Sequence, residues 1–338
     1  MFFPAQSQKL TPSNNLTTIT SYPRLHVCLF DLGHATPRSY GGAGFAVAGL
    51  PAVVKARPSS RAAVEWATPA DTSIRKAVSI AIARLMAARE DAVARLQVLS
   101  VPPQHVGLGS KTATILGVLK AIDLACDLKL TKQDLQILSG RGGTSGIGVN
   151  TFFTGGFIVD GGHDFRKSRA LVPSRYRRRF EIPPVINRTC IPEEWRFTLV
   201  LAPGKSLSGS AEHEFFKRNT PIAPRQVFET IALAYHGIIP AVASGDLRLL
   251  RDALGSVHKV GFKHRELMCQ SSAVKAAIRA LTQRQDCAVG LSSIGPLLYA
   301  VSHVDNHSFT KFADSLRDRL GVRMLGTFTG GNGGYSSQ

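Results

Sequence analysis

A glycine-rich turn carrying hydroxyls and a cation, Gly107-Leu108-Gly109-Ser110-Lys111-Thr112, runs directly into a segment whose Ile115, Leu119 and Ile122 recur at helical spacing. Residues of these types in this order make an anion cradle. Glycine lets the backbone come close, the first N–H groups of the helix point outward, and the helix dipole adds positive potential. Ser110 and Thr112 add hydroxyl donors and Lys111 a full charge. The spacing matches neither the Walker loop nor the dinucleotide fingerprint. Taken alone, glycine before a helix is also ordinary turn chemistry. Three further stretches carry polar groups among glycines: Gly140-Arg141-Gly142 with Ser145-Gly146-Ile147-Gly148, then Gly156 with Asp160-Gly161-Gly162, and Gly290-Leu291-Ser292-Ser293-Ile294-Gly295.

The elements that must position these loops are legible from periodicity. Residues 19–32 alternate apolar and polar and read as one strand, with Arg24 and His26 two apart on one face. A turn at Gly41, Gly42 and Gly44 precedes a strand at 45–47. Ile74, Val78, Ile82, Leu85 and Met86 mark a helix, and 96–101 a strand ended by Pro102 and Pro103. Thr131 and Asp134 form a capping pair for a helix that stops at Gly140. The block 139–163 reads as a glycine-dense loop leading into an apolar strand. Further on, strands are expected at 195–202, 288–291, 298–301 and 323–328, and helices at 227–242, 273–281 and 309–320. The class is mixed α and β without a long regular repeat. The chain divides into a disordered leader at 1–18, an N-terminal domain at 19–170, a basic, proline-marked linker at 171–191, a C-terminal domain at 192–330 and a flexible tail at 331–338.

Composition narrows the function classes. The 338 residues are 44% hydrophobic and 19% charged, too apolar for a disordered chain. With 41 Lys+Arg against 23 Asp+Glu the formal net charge is +18, which suits either nucleic acid or a pocket for polyanionic small molecules. The densest basic run, 166–179, holds Arg166, Lys167, Arg169, Arg175, Arg177, Arg178 and Arg179. No ribonucleoprotein, zinc-finger or helix-turn-helix signature accompanies it, and a solvated basic loop is the plain alternative. No apolar run of about 18 residues is evident, the longest candidate being 289–301. The first residues lack the basic start and apolar core of a secretory signal. Five scattered cysteines (Cys28, Cys126, Cys190, Cys269, Cys287) fit reduced thiols in a cytoplasm, and no Cys/His spacing supports zinc.

The order of the loops is similar to that of the GHMP superfamily of small-molecule kinases, typified by galactokinase, homoserine kinase, mevalonate kinase and phosphomevalonate kinase. Within it the chain resembles the beta-ribofuranosylaminobenzene 5'-phosphate synthase family. The resembling strings are YPRLHVCLFDLG at 22–33, GGAGFAV at 41–47, VGLGSKT at 106–112, SGRGGTSGIGVNTFFTGGFIVDGGH at 139–163, PEEWRFTLVLAPGKSLSG at 192–209 and VGLSSIGPLLYAV at 289–301. The central block is the most specific. Several kinases of the superfamily read S-G-x-D where this chain has Ser145-Gly146-Ile147-Gly148, and glycine cannot supply that carboxylate.

The resemblance implies an α+β, GHMP-kinase-like two-domain fold, with an N-terminal domain like the second domain of ribosomal protein S5 and a C-terminal ferredoxin-like α/β sandwich. It implies a decarboxylating transferase that joins phosphoribosyl diphosphate to 4-aminobenzoate or 4-hydroxybenzoate. The products are a C-riboside 5'-phosphate, carbon dioxide and diphosphate, an early step toward methanopterin-type carriers. Gly107, Gly109, Ser110, Lys111, Thr112 and Arg141 would hold phosphates, although Arg141 could instead close its loop through an ion pair. Asp160, Arg24 and His26 are the expected catalytic groups. Asp160 would hold Mg²⁺ or polarise the ring substituent, the alternative being a turn-forming aspartate, and His26 could equally be a satisfied core histidine. Ser145, Gly146, Gly148, Gly156, Gly161, Gly162, Ser292, Ser293 and Gly295 would shape the substrate pocket, with His163 and Asp31 as weaker candidates. Magnesium is the expected cofactor, with no organic one. A cytoplasmic homodimer that engages neither nucleic acid nor membrane is expected. An ATP-dependent kinase and a basic nucleic-acid-binding protein are the rival readings. Which aromatic acid is used is not readable, because an amino-to-hydroxyl change is read by one or two pocket groups.

Overall fold

The computed structural model describes residues 16–167, 171–173, 181–204, 207 and 209–338. In chain order the first half holds β1 (Thr17–Ser21), β2 (Arg24–Asp31), β3 (Arg38–Ala48), β4 (Ala52–Pro58), β5 (Ala63–Trp66), α1 (Thr72–Ala88) and β6 (Ala94–Ser100). Then come α2 (Ser110–Ala125), α3 (Lys132–Ser139), α4 (Ile147–Thr154), β7 (Phe157–Asp160), β8 (His163–Asp164) and β9 (Val185–Thr189). The second half holds β10 (Trp195–Leu201), α5 (Ser210–Asn219), α6 (Pro224–Leu233), α7 (Ile239–Ser244), α8 (Leu247–Val257), α9 (Gly261–Met268) and α10 (Ser272–Thr282). It closes with β11 (Ala288–Leu291), β12 (Leu297–His303), α11 (His307–Leu320), β13 (Arg323–Gly330) and β14 (Ser336–Ser337).

Two sheets carry the chain. The five-stranded one runs β14-β1-β4-β6-β5. Ile74, Val78 and Leu85 of α1, with Leu116, Leu119 and Ile122 of α2, bury their apolar faces against Val54, Leu96 and Val98 of this sheet. Asp71 caps α1 by accepting from the Ser73 N–H at 2.6 Å, and the Thr131–Asp134 capping box of α3 is present in full. The nine-stranded sheet follows β11-β12-β10-β13-β3-β7-β9, with β2 and β8 also on β3. Its core is aromatic: the Phe45 ring lies 4.7 Å from Phe157 and 5.3 Å from Phe197. The pairing of β13 with β3 carries this sheet across both halves of the chain.

Several elements differ from the sequence expectation. The expected strand 19–32 divides at Tyr22-Pro23, where proline cannot donate to a ladder, and β1 and β2 enter different sheets. The glycines at 41–44 are not a turn but lie inside β3. A Cβ at Gly44 would stand 2.5 Å from both the Leu25 carbonyl oxygen and Ile147 Cγ2, so glycine there permits close packing. Part of the glycine-dense block is α4, and α5, α8 and α9 carry no expected counterpart. Inside the span read as linker, β9 pairs antiparallel with β7. The expected flexible tail is instead strand-paired, Ile19 with Ser337 and Thr20 with Ser336, and the Tyr335 ring stacks on Phe152 at 4.9 Å. Of the leader, Thr17 and Thr18 belong to β1; residues 1–15 lie outside the described residues.

In the basic run, Arg166 pairs with Asp164 at 2.8 Å, while Arg169, Arg175, Arg177, Arg178 and Arg179 lie outside the described residues. The five cysteines are free thiols. Contrary to expectation, one stretch, Pro224–Ser244, is long and apolar enough by length and composition to cross a membrane, at mean hydropathy 1.3. In the fold its Val227, Ala234, Ile238, Ala241 and Val242 are buried in the core.

Candidate active site

A cavity of about 380 Å³ opens where the N-terminus of α2, the strand β2, the loops before α4 and after β11, and helices α5 and α9 converge. Of the expected residues it brings together Arg24, His26, Gly107, Gly109, Ser110, Lys111, Thr112, Arg141, Ser145, Gly148, Ser293 and Gly295.

One end is cationic. Gly109, the N-cap of α2, has a left-handed backbone (φ 70°), and the Arg24 side chain runs beneath it. The Arg24 backbone N–H donates to the Leu108 carbonyl at 3.0 Å and its guanidinium donates to the Gly107 carbonyl. Arg141 follows the left-handed cap Gly140 of α3; Gln136 donates to its carbonyl at 2.7 Å, and its Nε donates to Thr112 Oγ1 at 3.0 Å. Burial lowers the Arg24 pKa to about 10, with Arg141 pushing the same way and Glu266 and Glu212 opposing. Two guanidiniums are thus crowded at a helix N-terminus, a repulsion that a polyanion relieves. The Ser110 hydroxyl is committed to the Pro103 carbonyl, so its part in the cradle is structural.

The other end is apolar, with Leu29, Phe216 and Ile294 on its wall. His26, 4% exposed, sets Nε2 3.0 Å from the Ser145 hydroxyl, and its buried Nδ1 has no hydrogen-bond partner. Burial, then Arg24 and Lys263, hold its pKa well below 6.5, so the imidazole is neutral. Glu266 and Glu212 also line the cavity. Neither these nor Lys263 behind Glu266 were expected. A Lys-x-x-Glu pair on a helix has the spacing of an ordinary surface ion pair, and only burial sets it apart.

The remaining expected residues sit behind the wall. Asp160 is fully buried, and its carboxylate accepts from the Gly146 and Gly162 backbone N–H groups, each at 3.0 Å. Burial lifts its pKa to about 7, opposed by those N–H groups and by Arg38. It anchors the start of α4 rather than facing substrate. Gly146, Gly156, Gly161 and Gly162 pack against neighbouring backbone and side chains away from the cavity. Ser292 is a buried rivet, donating to the Gly107 carbonyl at 2.8 Å and accepting from the His26 N–H at 3.0 Å. Asp31 accepts from Gly33, Ala35 and Thr36, and His163 Nε2 meets the Gly142 carbonyl. Among the described residues no group of three or more His, Cys, Asp or Glu could hold a metal ion, and Asp160 stands away from the cavity.

The α+β fold is the one seen in solved homoserine and phosphomevalonate kinases. Homoserine kinase from Cytophaga hutchinsonii superposes with TM-score 0.66 at 15% identity, covering 100% of both chains. Phosphomevalonate kinase from Streptococcus pneumoniae gives 0.67 at 12% identity over 93% of this chain and 99% of that one. No protein-family model matches the chain. Curated sequences are more specific. The chain is 31% identical over 290 residues to the beta-ribofuranosylphenol 5'-phosphate synthase of Methanothermobacter thermautotrophicus, covering 84% of this chain and 88% of the relative. Against the synthases of that name from Archaeoglobus fulgidus and Methanocaldococcus jannaschii it is 33% identical over 82% of this chain and 85% of the relative, and 30% identical over 88% and 93%. The chain belongs to the beta-ribofuranosylphenol 5'-phosphate synthase family. It is therefore an enzyme, a pentosyltransferase with a C-riboside phosphate synthase role.

Proposed function

We propose that the enzyme condenses phosphoribosyl diphosphate with 4-hydroxybenzoate or 4-aminobenzoate, releasing carbon dioxide and diphosphate in the service of a methanopterin-type carrier. The observation that carries this reading is the two-ended cavity: guanidiniums and a helix N-terminus at one end, an apolar wall with a neutral imidazole at the other. Diphosphate is held at the α2 N-terminus by Lys111, Arg141 and the loop backbone, which stabilise the charge that grows on it as the C1–O bond breaks. Positive charge then develops on the ribose. His26, neutral at physiological pH, places no opposing charge beside it, and its Nε2 stands 3.0 Å from the Ser145 hydroxyl on the cavity wall. The ring carbon bearing the carboxylate attacks C1, and loss of carbon dioxide returns its electron pair to the ring.

Kinase chemistry by the aspartate route finds no support, since Gly148 stands on the cavity wall where that carboxylate would be. Magnesium, in this reading, arrives on the diphosphate, as is common for this ion. A homodimer in a reducing cytoplasm, with small molecules rather than nucleic acid or membrane as partners, completes the proposal. Incubation with phosphoribosyl diphosphate and carboxyl-labelled aromatic acid tests it. Labelled carbon dioxide should appear only when both substrates are present. Transfer of a phosphoryl group from ATP to a small alcohol, without carbon dioxide, would establish the kinase.

A further inference from the structure

We infer that Glu266, held in place by Lys263, is the group that reads the substituent para to the carboxylate of the aromatic acid. This assignment rests on the reaction proposed above. Phe262 and Glu266 stand one turn apart on α9 and so share a face. Phe262 packs on Phe216, ring centroids 4.9 Å apart, within the apolar cluster that includes Leu29 and Ile294. Leu29, Phe216, Ile294 and Glu266 all line the cavity, so the carboxylate is set into the apolar end, where an aromatic ring would lie.

A carboxylate is out of place in a site for polyanions unless it faces a donor. Glu266 is 2% exposed and Lys263 1%, with Nζ 2.5 Å from Oε2. Lys263 Nζ also donates to the carbonyls of Leu291, at 3.0 Å, and Ser293, at 3.1 Å. The ion pair and these two hydrogen bonds let the lysine tie Glu266 to the loop that carries Ser293, Ile294 and Gly295. Although paired with Lys263, Glu266 Oε2 accepts no hydrogen bond among the described residues. It is a buried acceptor with capacity to spare, set beside a cationic neighbour.

The chemistry gives that acceptor a use. The attacking carbon is para to the hydroxyl or amino group, whose lone pair feeds it. A hydrogen bond from that O–H or N–H to Glu266 pushes electron density toward the attacking carbon. The C1–O pair leaves with diphosphate, a ring π pair forms the C1–C bond, and the bond to the carboxylate breaks to restore the ring. The para proton stays on its own oxygen or nitrogen throughout. Lys263 acts as a positioning residue.

The test begins with the wild-type enzyme and needs no variant. Calorimetric binding of 4-hydroxybenzoate, 4-aminobenzoate and 4-methoxybenzoate should show the methyl ether, which has no proton to give, bound about tenfold or more weakly than the donors. Equal affinities would overturn the assignment. In Glu266→Gln, with phosphoribosyl diphosphate affinity measured as the check on folding, the preference should shrink to about twofold. Its KM for the aromatic acid should rise, while that for phosphoribosyl diphosphate stays put. A merely structural glutamate would weaken all ligands together and leave the preference intact. If the wild type releases carbon dioxide but Glu266→Gln keeps the full preference, the recognition falls and the reaction stands. If no carbon dioxide is released yet the Glu266-dependent preference is seen, the reaction falls and the recognition stands.

Discussion

Two glycine-dense regions serve this molecule in opposite ways. The loop 107–112 lines the cavity with its backbone and Lys111, although Gly107 also meets the Ser292 carbonyl, which a Cβ would approach to 2.4 Å. The block 155–162 lies behind the wall, where its glycines let strands and loops touch and Asp160 fastens the start of α4. The lesson is that a glycine-rich string marks close approach of backbone to something, and what that something is must be read from the neighbours. A ligand and another strand leave the same signature in sequence.

The comparison is broken most directly at Gly162. Its φ is +60° and a Cβ would lie 2.2 Å from the Ser39 carbonyl oxygen. Gly162→Ala should cost about 3 kcal/mol or more in chemical denaturation. Wild-type stability in that variant would dissolve the distinction. Asp160→Asn comes next: with one backbone N–H left facing an amide N–H, the loss should be about 1–3 kcal/mol. Turnover should then follow the folded fraction, and a collapse of kcat in fully folded protein would return Asp160 to the catalytic list. On the cavity side, Arg141→Ala should weaken phosphoribosyl diphosphate by about 1.5–3 kcal/mol, roughly 10- to 150-fold, with stability lowered by only about 1 kcal/mol as the Thr112 bond is lost. Lys111→Ala should weaken the same substrate and spare the aromatic acid, both read by titration. Gly148→Ala, at ordinary φ and with its Cβ 3.4 Å from Thr112 Cγ2, should leave stability within about 1 kcal/mol of wild type.

The smallest effect concerns pH. Because the folded state holds the His26 pKa below 6.5, the unfolded chain takes up a proton there that the folded one refuses. Stability is therefore present above pH 6.5 and lost as pH falls below it. His26→Gln should flatten part of that loss in acid titrations of the melting temperature. The remainder belongs partly to His258, whose pKa burial lowers to about 3.

Local sequence carried much of this architecture. The Thr131–Asp134 box, the loop entering α2 and most strands of the second half stood where periodicity and capping put them, because those signals are set within a few residues. Gly44 and α4 were misjudged for one reason: glycine-dense strings look like turns until the facing strand is known; Asp160, expected as catalytic, instead accepts from the Gly162 N–H as its turn-forming alternative would. Glu266 and Lys263 escaped notice because their spacing is that of a solvated pair. Their meaning comes from Leu291 and Ser293, brought up by the fold. Residues gathered from distant segments leave no local mark.

The floor of the cavity joins Arg24, Gly107 and Ser292 through one carbonyl, and β3 completes its sheet only when Gly330 meets Val47. This has a consequence for the order in which the enzyme comes into being. Such remote pairings are slow to form, because loop closure must precede the contacts that reward it. A nascent chain emerging from the ribosome can assemble the α1–α2 layer early, but it leaves the edge of β3 open and the substrate cleft unbuilt until nearly all of the sequence has been translated. Truncated products should accordingly be aggregation-prone and inert rather than partly active.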